Sequence, residues 1–465
     1  MTQQTWFPVG VTVAALLIVP TGVMAGPHEI PGQYIVELKP GVDPDVVSRA
    51  HGVAPLHRYT IINGFAARMP DRVVQRLAAD GRVEAISADL VVHAFIRPPA
   101  TPAPGTGRSG RDAGAALSPT EAFTPEAQAG VRRIGAEAAW AKGYKGTGVK
   151  VAVIDTGIDC THPDLAANCK GGVNLLASGQ PAADDHGHGT HLAGIIAARQ
   201  DNGFGVAGVA PEAWLYRVKV LDGNGSGALS TVIKGIDWAA ANGMRVANLS
   251  LGAFDFSLGT GPMCRAVRRA TLRGITVVAA AGNSAFEALY FTPANCQHSL
   301  TGSAFVESDG VPGGFGAPID SEADDTFADT FSNYSNYCYD LNADGSCTEA
   351  DAYVVDLMAP AVAVLSTCPT YAVTLNQPPY NAPQNYCALT GTSMAAPHLA
   401  GAAALLIGRG IASTPAQVRI ALTTNGSCTG GVTDTGTGGS NTCPEPWADD
   451  YDLAWEPLLA VGWMP

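Results

Sequence analysis

Apolar and polar positions change rhythm several times along this chain. In "QYIVELKP" (33–40) they alternate with period two, the mark of a half-buried strand. "DPDVVSRAHG" (43–52) opens on Asp43, a capping residue type, and carries an apolar stripe, so it reads as a helix. "FAARMP" (65–70) is strand-like. "DRVVQRLAADG" (71–81) is a second amphipathic helix ending at Gly81, and "VEAISADLVVHAF" (83–95) supplies further strand. A β-α-β-β-α-β order predicts a small ferredoxin-like α+β domain over 26–97. Residues 98–127 lose all period and are dominated by Pro, Gly, Ala and Ser, the composition of a flexible linker.

Beyond the linker the rhythm alternates again. "VKVAVID", "WLYRVKVLD", "MRVANLSLG" and "ITVVAAAGN" are nearly continuous apolar runs. "GTHLAGIIAAR", "STVIKGIDWAAANG" and "MCRAVRRATLRG" have helical spacing between them. Such repetition predicts an α/β domain over 128–426, a doubly wound, mostly parallel sheet with helices on both faces. In that architecture chemistry gathers at the carboxyl ends of strands, where Asp155 and Asn283 fall. Residues 427–465 form a carboxyl-terminal extension, first Gly/Thr-rich, then aromatic and acidic.

The chain has 465 residues, a formal charge of −14 and a pI near 5.1. That balance argues against nucleic acid or an anionic membrane as the main partner. An apolar run from Val9 to Val19 ends in Pro20 and small residues, with a candidate cut after Ala25. Residues 1–25 resemble a secretory signal peptide, although no Lys or Arg precedes the run. The run is too short to span a bilayer, so no stable membrane insertion is expected. All ten cysteines lie between Cys160 and Cys443, which suits disulfides in an oxidising compartment. Neighbours pair most simply: Cys160–Cys169, Cys264–Cys296, Cys338–Cys347, Cys368–Cys387 and Cys428–Cys443. No CxxC spacing points to zinc.

Three distant segments bring an acid, bases and a hydroxyl: Asp155 in "VIDTGIDCTHPDL", His186, His188 and His191 in "DDHGHGTHLAG", and Ser393 in "GTSMAAPH". A serine hydroxyl attacks well only when an imidazole takes its proton and a carboxylate orients that imidazole. With "NLSLG" and "AAAGN" lying between them in order, these segments resemble those of the subtilisin-type serine proteases, the subtilases. The resemblance covers roughly residues 128–425. It implies Asp155 as the orienting carboxylate, His188 as general base, Ser393 as nucleophile and Asn283 as oxyanion donor beside the Ser393 N–H. It makes His186 a loop residue and His191 packing. Ser250, Leu251 and Gly252 would pair with the substrate backbone. The pocket for the residue before the scissile bond would lie between "SLGAF" and "AAAGN", with Ala281 and Gly282 on its wall and Glu287 close in sequence. Broad cleavage after apolar or aromatic residues is the family default, and a basic preference the narrower alternative.

The chain departs from the resemblance after "FSNYS". An insertion there reads Asp340-x-Asn342-x-Asp344-Gly345 and reaches Asp351 at the twelfth place, the oxygen spacing of an EF-hand-type Ca²⁺ loop. Asp at twelve instead of Glu, and Cys347 within the loop, depart from that pattern, and a Cys338–Cys347 clamp is an alternative or additional device. The resemblance also offers Asp164 in "HPDL" as a structural calcium ligand, with the Asp201–Asn202 loop as its partner.

Together these readings describe a secreted serine endopeptidase made as a zymogen, with 26–97 as an inhibitory and folding-assisting propeptide. Self-cleavage is expected within 96–127. Its partners would be protein or peptide substrates and its own propeptide, the mature enzyme a monomer, and the only cofactor a structural calcium. Rival readings are a processing protease for one dedicated partner and an inactive subtilase that only binds peptides.

Overall fold

The computed structural model describes residues 28–96, 129–203, 205–307, 328, 332–333, 338–339, 352–371, 373–376, 385–426 and 458–465. The principal sheet has seven strands. In spatial order they are Leu357–Pro360, Ser299–Phe305, Thr276–Ala280, Val246–Leu249, Lys150–Asp155, Trp214–Lys219 and Cys169–Asn174. All neighbours are parallel. Successive side chains of a strand point to opposite faces, and the core divides accordingly. Val151 and Val153 pack with helices His188–Ala197 and Thr392–Gly408 on one side. Ala152 and Ile154 pack with Leu229–Ala241 and Pro262–Leu272 on the other. Burial on both faces is why these strands read as unbroken apolar runs.

Sheet order reverses at the pair Lys150–Asp155 and Val246–Leu249: later strands extend to one side, Trp214–Lys219 and Cys169–Asn174 to the other. A crevice opens at such a switch point, beyond the carboxyl ends of the strands. Asp155 ends one of these two strands and Ser250 follows the other.

The amino-terminal segment is a four-stranded antiparallel sheet in the order Val83–Ala94, Glu29–Leu38, Gly64–Arg68, His57–Tyr59. Helices Pro44–Ala50 and Asp71–Ala78 cross over between its strands. Asp43 caps the first, accepting from Asp45 N at 2.8 Å. The second stops at Ala78 and not at Gly81. Strands His57–Tyr59, Cys169–Asn174 and Ser226–Ala228 were not legible from the pattern, and "MRVANLSLG" is two strands broken at Ser250.

Cys160–Cys169, Cys264–Cys296 and Cys368–Cys387 are bonded as neighbour pairing predicts. The side chains of the pairs Cys338–Cys347 and Cys428–Cys443 lie outside the described residues. Among the described residues no helix is long and apolar enough to cross a membrane.

Candidate active site

Asp155 and His188 meet although 33 residues separate them. Asp155 Oδ1 accepts from His188 Nδ1 at 2.8 Å, and both side chains are fully buried. A third group welds their elements together. Asp184, also buried, accepts from Gly187 N (2.8 Å), Thr190 N (2.8 Å) and Thr190 Oγ1 (2.6 Å), so its carboxylate caps the helix that begins at His188. Its Oδ1 also accepts from Thr156 Oγ1 at 2.8 Å, and Thr156 Oγ1 in turn accepts from Gly189 N at 2.9 Å. An anionic cap at a helix N-terminus is favourable twice over, through its hydrogen bonds and through the helix dipole. Lys219 closes the other side, donating to Thr156 O (2.7 Å), Leu221 O (2.9 Å) and Asp185 Oδ1 (2.6 Å). Asp184, Thr156 and Lys219 had no signal in the sequence, because their partners come from other elements.

Ser393 lies in the first turn of helix Thr392–Gly408. The residue before that helix, Gly391, has φ 143°, which favours glycine. A Cβ there would sit 2.7 Å from Asn283 Nδ2 and 2.5 Å from Phe95 O. Asn283 is held by its oxygen, which accepts from Thr392 N and Thr392 Oγ1, each at 2.9 Å. That leaves Asn283 Nδ2 buried without a partner. A buried unpaired donor costs about 1–3 kcal/mol, a cost that an incoming oxyanion would remove. Asn333, from "FSNY", steadies the same loop: it donates to Ala281 O (2.9 Å) and accepts from Ser284 N (2.9 Å). Gly282 N donates to Thr392 Oγ1 at 3.0 Å.

Ser393 Oγ donates to Ser250 O at 2.9 Å, while His188 Nε2 is buried without a partner. Proton transfer requires the hydroxyl on that nitrogen, a bond that this side-chain arrangement does not make. An imidazole held by a carboxylate on one nitrogen and free on the other accepts a proton from a hydroxyl. With a donor-lined recess at a helix start beside it, the arrangement suits acyl transfer.

The remaining histidines divide as expected. His186 is in the loop, buried, and its Nδ1 accepts from His188 N at 3.3 Å; burial and the neighbouring His188 lower its pKa. His191 packs inward against Val364 O and Cys387 O, and burial brings its pKa down to about 3. Glu287 accepts from Leu289 N at 3.4 Å and caps the short turn Ala288–Tyr290.

A strand already occupies the cleft. Val83–Ala94 runs antiparallel between Leu251–Phe254 and Ser226–Ala228, with Leu251 opposite Ala94, Gly252 opposite His93 and Gly227 opposite Val92. Phe95 N donates to Ser250 O at 3.2 Å and Ala94 N to Gly225 O at 2.9 Å. The Phe95 ring lies over Gly252, where a Cβ would come within 2.6 Å of it, and edge-on to Phe291 at 6.5 Å.

The calcium expectations fare differently. Asp340, Asn342, Asp344 and Asp351 lie outside the described residues. Asp164 Oδ1 accepts from Asn202 Nδ2 (2.6 Å), and Oδ2 from Val206 N (3.0 Å) and Tyr386 Oη (2.9 Å). Asp201 points elsewhere, 3.8 Å from Lys145 Nζ. Ca²⁺ takes about six to eight oxygen ligands. Donors aimed at one carboxylate do not supply them, and no cluster of three acidic, His or Cys side chains forms among the described residues. In this arrangement Asp164 is a hydrogen-bond anchor between the loops that carry it, Asn202 and Tyr386.

The comparisons agree with this geometry. A family model described as the subtilase family matches residues 146–442. Subtilisin E of Bacillus subtilis is 34% identical over 376 residues, 81% of this chain and 78% of its own length. Subtilisin Savinase of Lederbergia lenta is 39% identical over 290 residues, 62% of this chain and 87% of its own. The crystal structure of fervidolysin from Fervidobacterium pennivorans, a keratinolytic enzyme related to subtilisin, superposes with a TM-score of 0.65 at 24% identity. That match covers 88% of this chain and 59% of fervidolysin's, and at such identity it speaks for the fold alone. With the family's pattern spread over most of its length, the chain belongs to the subtilases and is a subtilisin-like serine endopeptidase.

Proposed function

We propose that the chain is a secreted zymogen in which residues 28–95 inhibit the site they fill, and that it matures by cutting its own Phe95–Ile96 bond. The observation that carries this is the position of Phe95. Its N–H pairs with Ser250 O, its carbonyl oxygen faces the recess at Gly391 beside Asn283 Nδ2, and its ring sits in the pocket at Gly252. Ile96 then follows as the first residue of the leaving side, at the amino-terminal edge of the expected 96–127 window.

Ser393 Oγ, once turned to His188 Nε2, attacks the Phe95 carbonyl carbon and gives its proton to that nitrogen. Asp155 holds the imidazolium. The oxyanion takes hydrogen bonds from Asn283 Nδ2 and Ser393 N, worth about 3 kcal/mol per donor. Collapse breaks the C–N bond, and the imidazolium protonates the departing Ile96 amine. Water, activated by the same imidazole, releases Phe95 from Ser393. The apolar surroundings of the Phe95 ring favour apolar or aromatic residues before the cut over basic ones. Export is supported by the apolar run of residues 9–19 and by three formed disulfides.

Contacts outside the cleft support an inhibitory and folding-assisting role. Asp89 Oδ1 accepts from Ser230 N at 2.9 Å, capping helix Leu229–Ala241, whose own N-cap residue Ala228 offers no side-chain bond. Asp237 of that helix accepts from Ile61 N at 2.8 Å, and Glu37 pairs with Arg265.

Mass spectrometry of the purified precursor tests the proposal. Wild type should yield a mature chain beginning at Ile96, and Ser393→Ala should stay intact. A first cut elsewhere, or processing that survives Ser393→Ala, would overturn it.

A further inference from the structure

We infer that an aromatic platform beyond the known cleft binds apolar side chains of the substrate at the fifth and sixth positions on the amino side of the scissile bond. The inference rests on the protease reading with Phe95 at the first position.

The platform is built around Phe254, at the end of the strand that pairs with the propeptide. Tyr290 stacks on Phe254 with centroids 5.9 Å apart and planes 8° from parallel. Phe256 meets it edge-on at 4.8 Å, and Phe286 lies 5.6 Å from Tyr290. Beneath them Phe291 packs edge-on to Phe254 at 5.3 Å. The outer rings are open even with the propeptide in place: Phe256 is 76% exposed and Phe286 44%. Clustered exposed aromatics are uncommon on a soluble surface and mark contact sites.

Phe256 is held outward. Asp255 accepts from Ser257 N at 2.8 Å and from Ser257 Oγ, and Asp255 N donates to Tyr290 O at 2.7 Å, which fixes the turn carrying the ring.

The occupant follows from continuity with the cleft. Leu251 opposite Ala94 and Gly252 opposite His93 set an antiparallel register. Two further residues along that register, Phe254 comes across from the fifth residue before the cut. In the zymogen that residue, Val91, is tied to the propeptide's own sheet: its N–H donates to His28 O at 2.8 Å. The propeptide meets Phe254 through His28, 6.3 Å away, and the underlying Phe291 through Phe95. A substrate has no such sheet behind it, so its fifth and sixth residues can lie across the rings. The substrates favoured are unfolded chains rich in aromatic and aliphatic residues.

Peptide kinetics on the mature enzyme test this. Two fluorogenic peptides share the last four residues before the cut, ending in Phe, and differ at the fifth and sixth, Leu and Phe in one, Ser and Gly in the other. Wild type should cut the apolar peptide about tenfold faster in kcat/KM, roughly what one ring contact with burial contributes, with the gain mainly in KM. In Phe256→Ser/Phe286→Ser that ratio should fall to about one, while a tetrapeptide too short to reach the rings is cut as by wild type. A ratio near one in wild type, or one that survives the double substitution, would overturn the platform. Failure of wild type to cut any peptide would instead overturn the protease reading beneath it.

Discussion

Under the proposed mechanism, Asn283 is a single residue prepared for a reaction. Two bonds from Thr392 fix its oxygen, so its amide hydrogens have one direction left, toward the recess at Gly391. The geometry forces a consequence. Asn283→Ala should lower kcat by about 10²–10³-fold with little change in KM, because the donor is used as charge develops on oxygen. Steady-state kinetics on a short peptide ending in Phe, with circular dichroism to confirm that the variant is folded, would check it, and an unchanged kcat with a raised KM would contradict it. Motif residues such as Asp155, His188, Asn283 and Ser393 were legible because each stands at a strand end or helix start in a distinctive local string. Asp184, Thr156, Lys219 and Asn333 were not. Each owes its role to partners on other elements, and local composition cannot report a contact formed only in the fold.

At the scale of elements, the strand Val83–Ala94 belongs to two sheets. Residues 83–90 pair with Glu29–Leu38 and residues 91–94 with Leu251–Phe254 and Ser226–Ala228. The period-two pattern predicted the strand but not its second set of neighbours, since alternation specifies faces and not edges. Its Asp89 shows how the two parts depend on each other. Helix Leu229–Ala241 takes its cap from the amino-terminal segment, so under the proposed maturation the helix start would be less stable once that segment leaves. In the uncut Ser393→Ala precursor, Asp89→Ala should lower unfolding free energy by about 1 kcal/mol, the usual effect of losing a cap. Leaving Gln33 Nε2 without Asp89 Oδ2, its 2.7 Å partner, adds to the loss. Urea denaturation of the two precursors would read the difference, and equal midpoints would show that the cap carries no weight.

For the whole molecule, the alternation of apolar strands and amphipathic helices made the doubly wound sheet legible. The short edge strands escaped because Gly-rich "CKGGVN" and "SGA" carry no apolar period. The packed core also sets a pH response. His191 and His398 are wholly buried, and burial takes their pKa values down to about 3 and about 4. Unfolded, both titrate near 6.5, so between pH 6 and 4.5 the unfolded chain binds two protons that the fold refuses. Asp356 works the other way. Burial lifts it to about 6 against the pull of Arg419, so the folded form takes up one proton in the same window. One net proton favours the unfolded state, and stability should fall by about 1.4 kcal/mol per pH unit on acidification. His57, His162 and His186 shift in the same direction as the two buried histidines, while Asp164, raised by burial, shifts with Asp356. Denaturation of the Ser393→Ala precursor at pH 7 and pH 4.5 would show it, and greater stability at the lower pH would contradict the sign.

The most direct test asks which atom the fold has made nucleophilic. The mature enzyme is treated with a fluorophosphonate, digested and mapped by mass spectrometry, beside a folded His188→Ala variant freed of residues 1–95 by added wild-type enzyme. The adduct should appear on Ser393 alone in the unmodified enzyme and fall to a trace in the variant. An adduct on another serine, or equal labelling without the imidazole, would contradict the account.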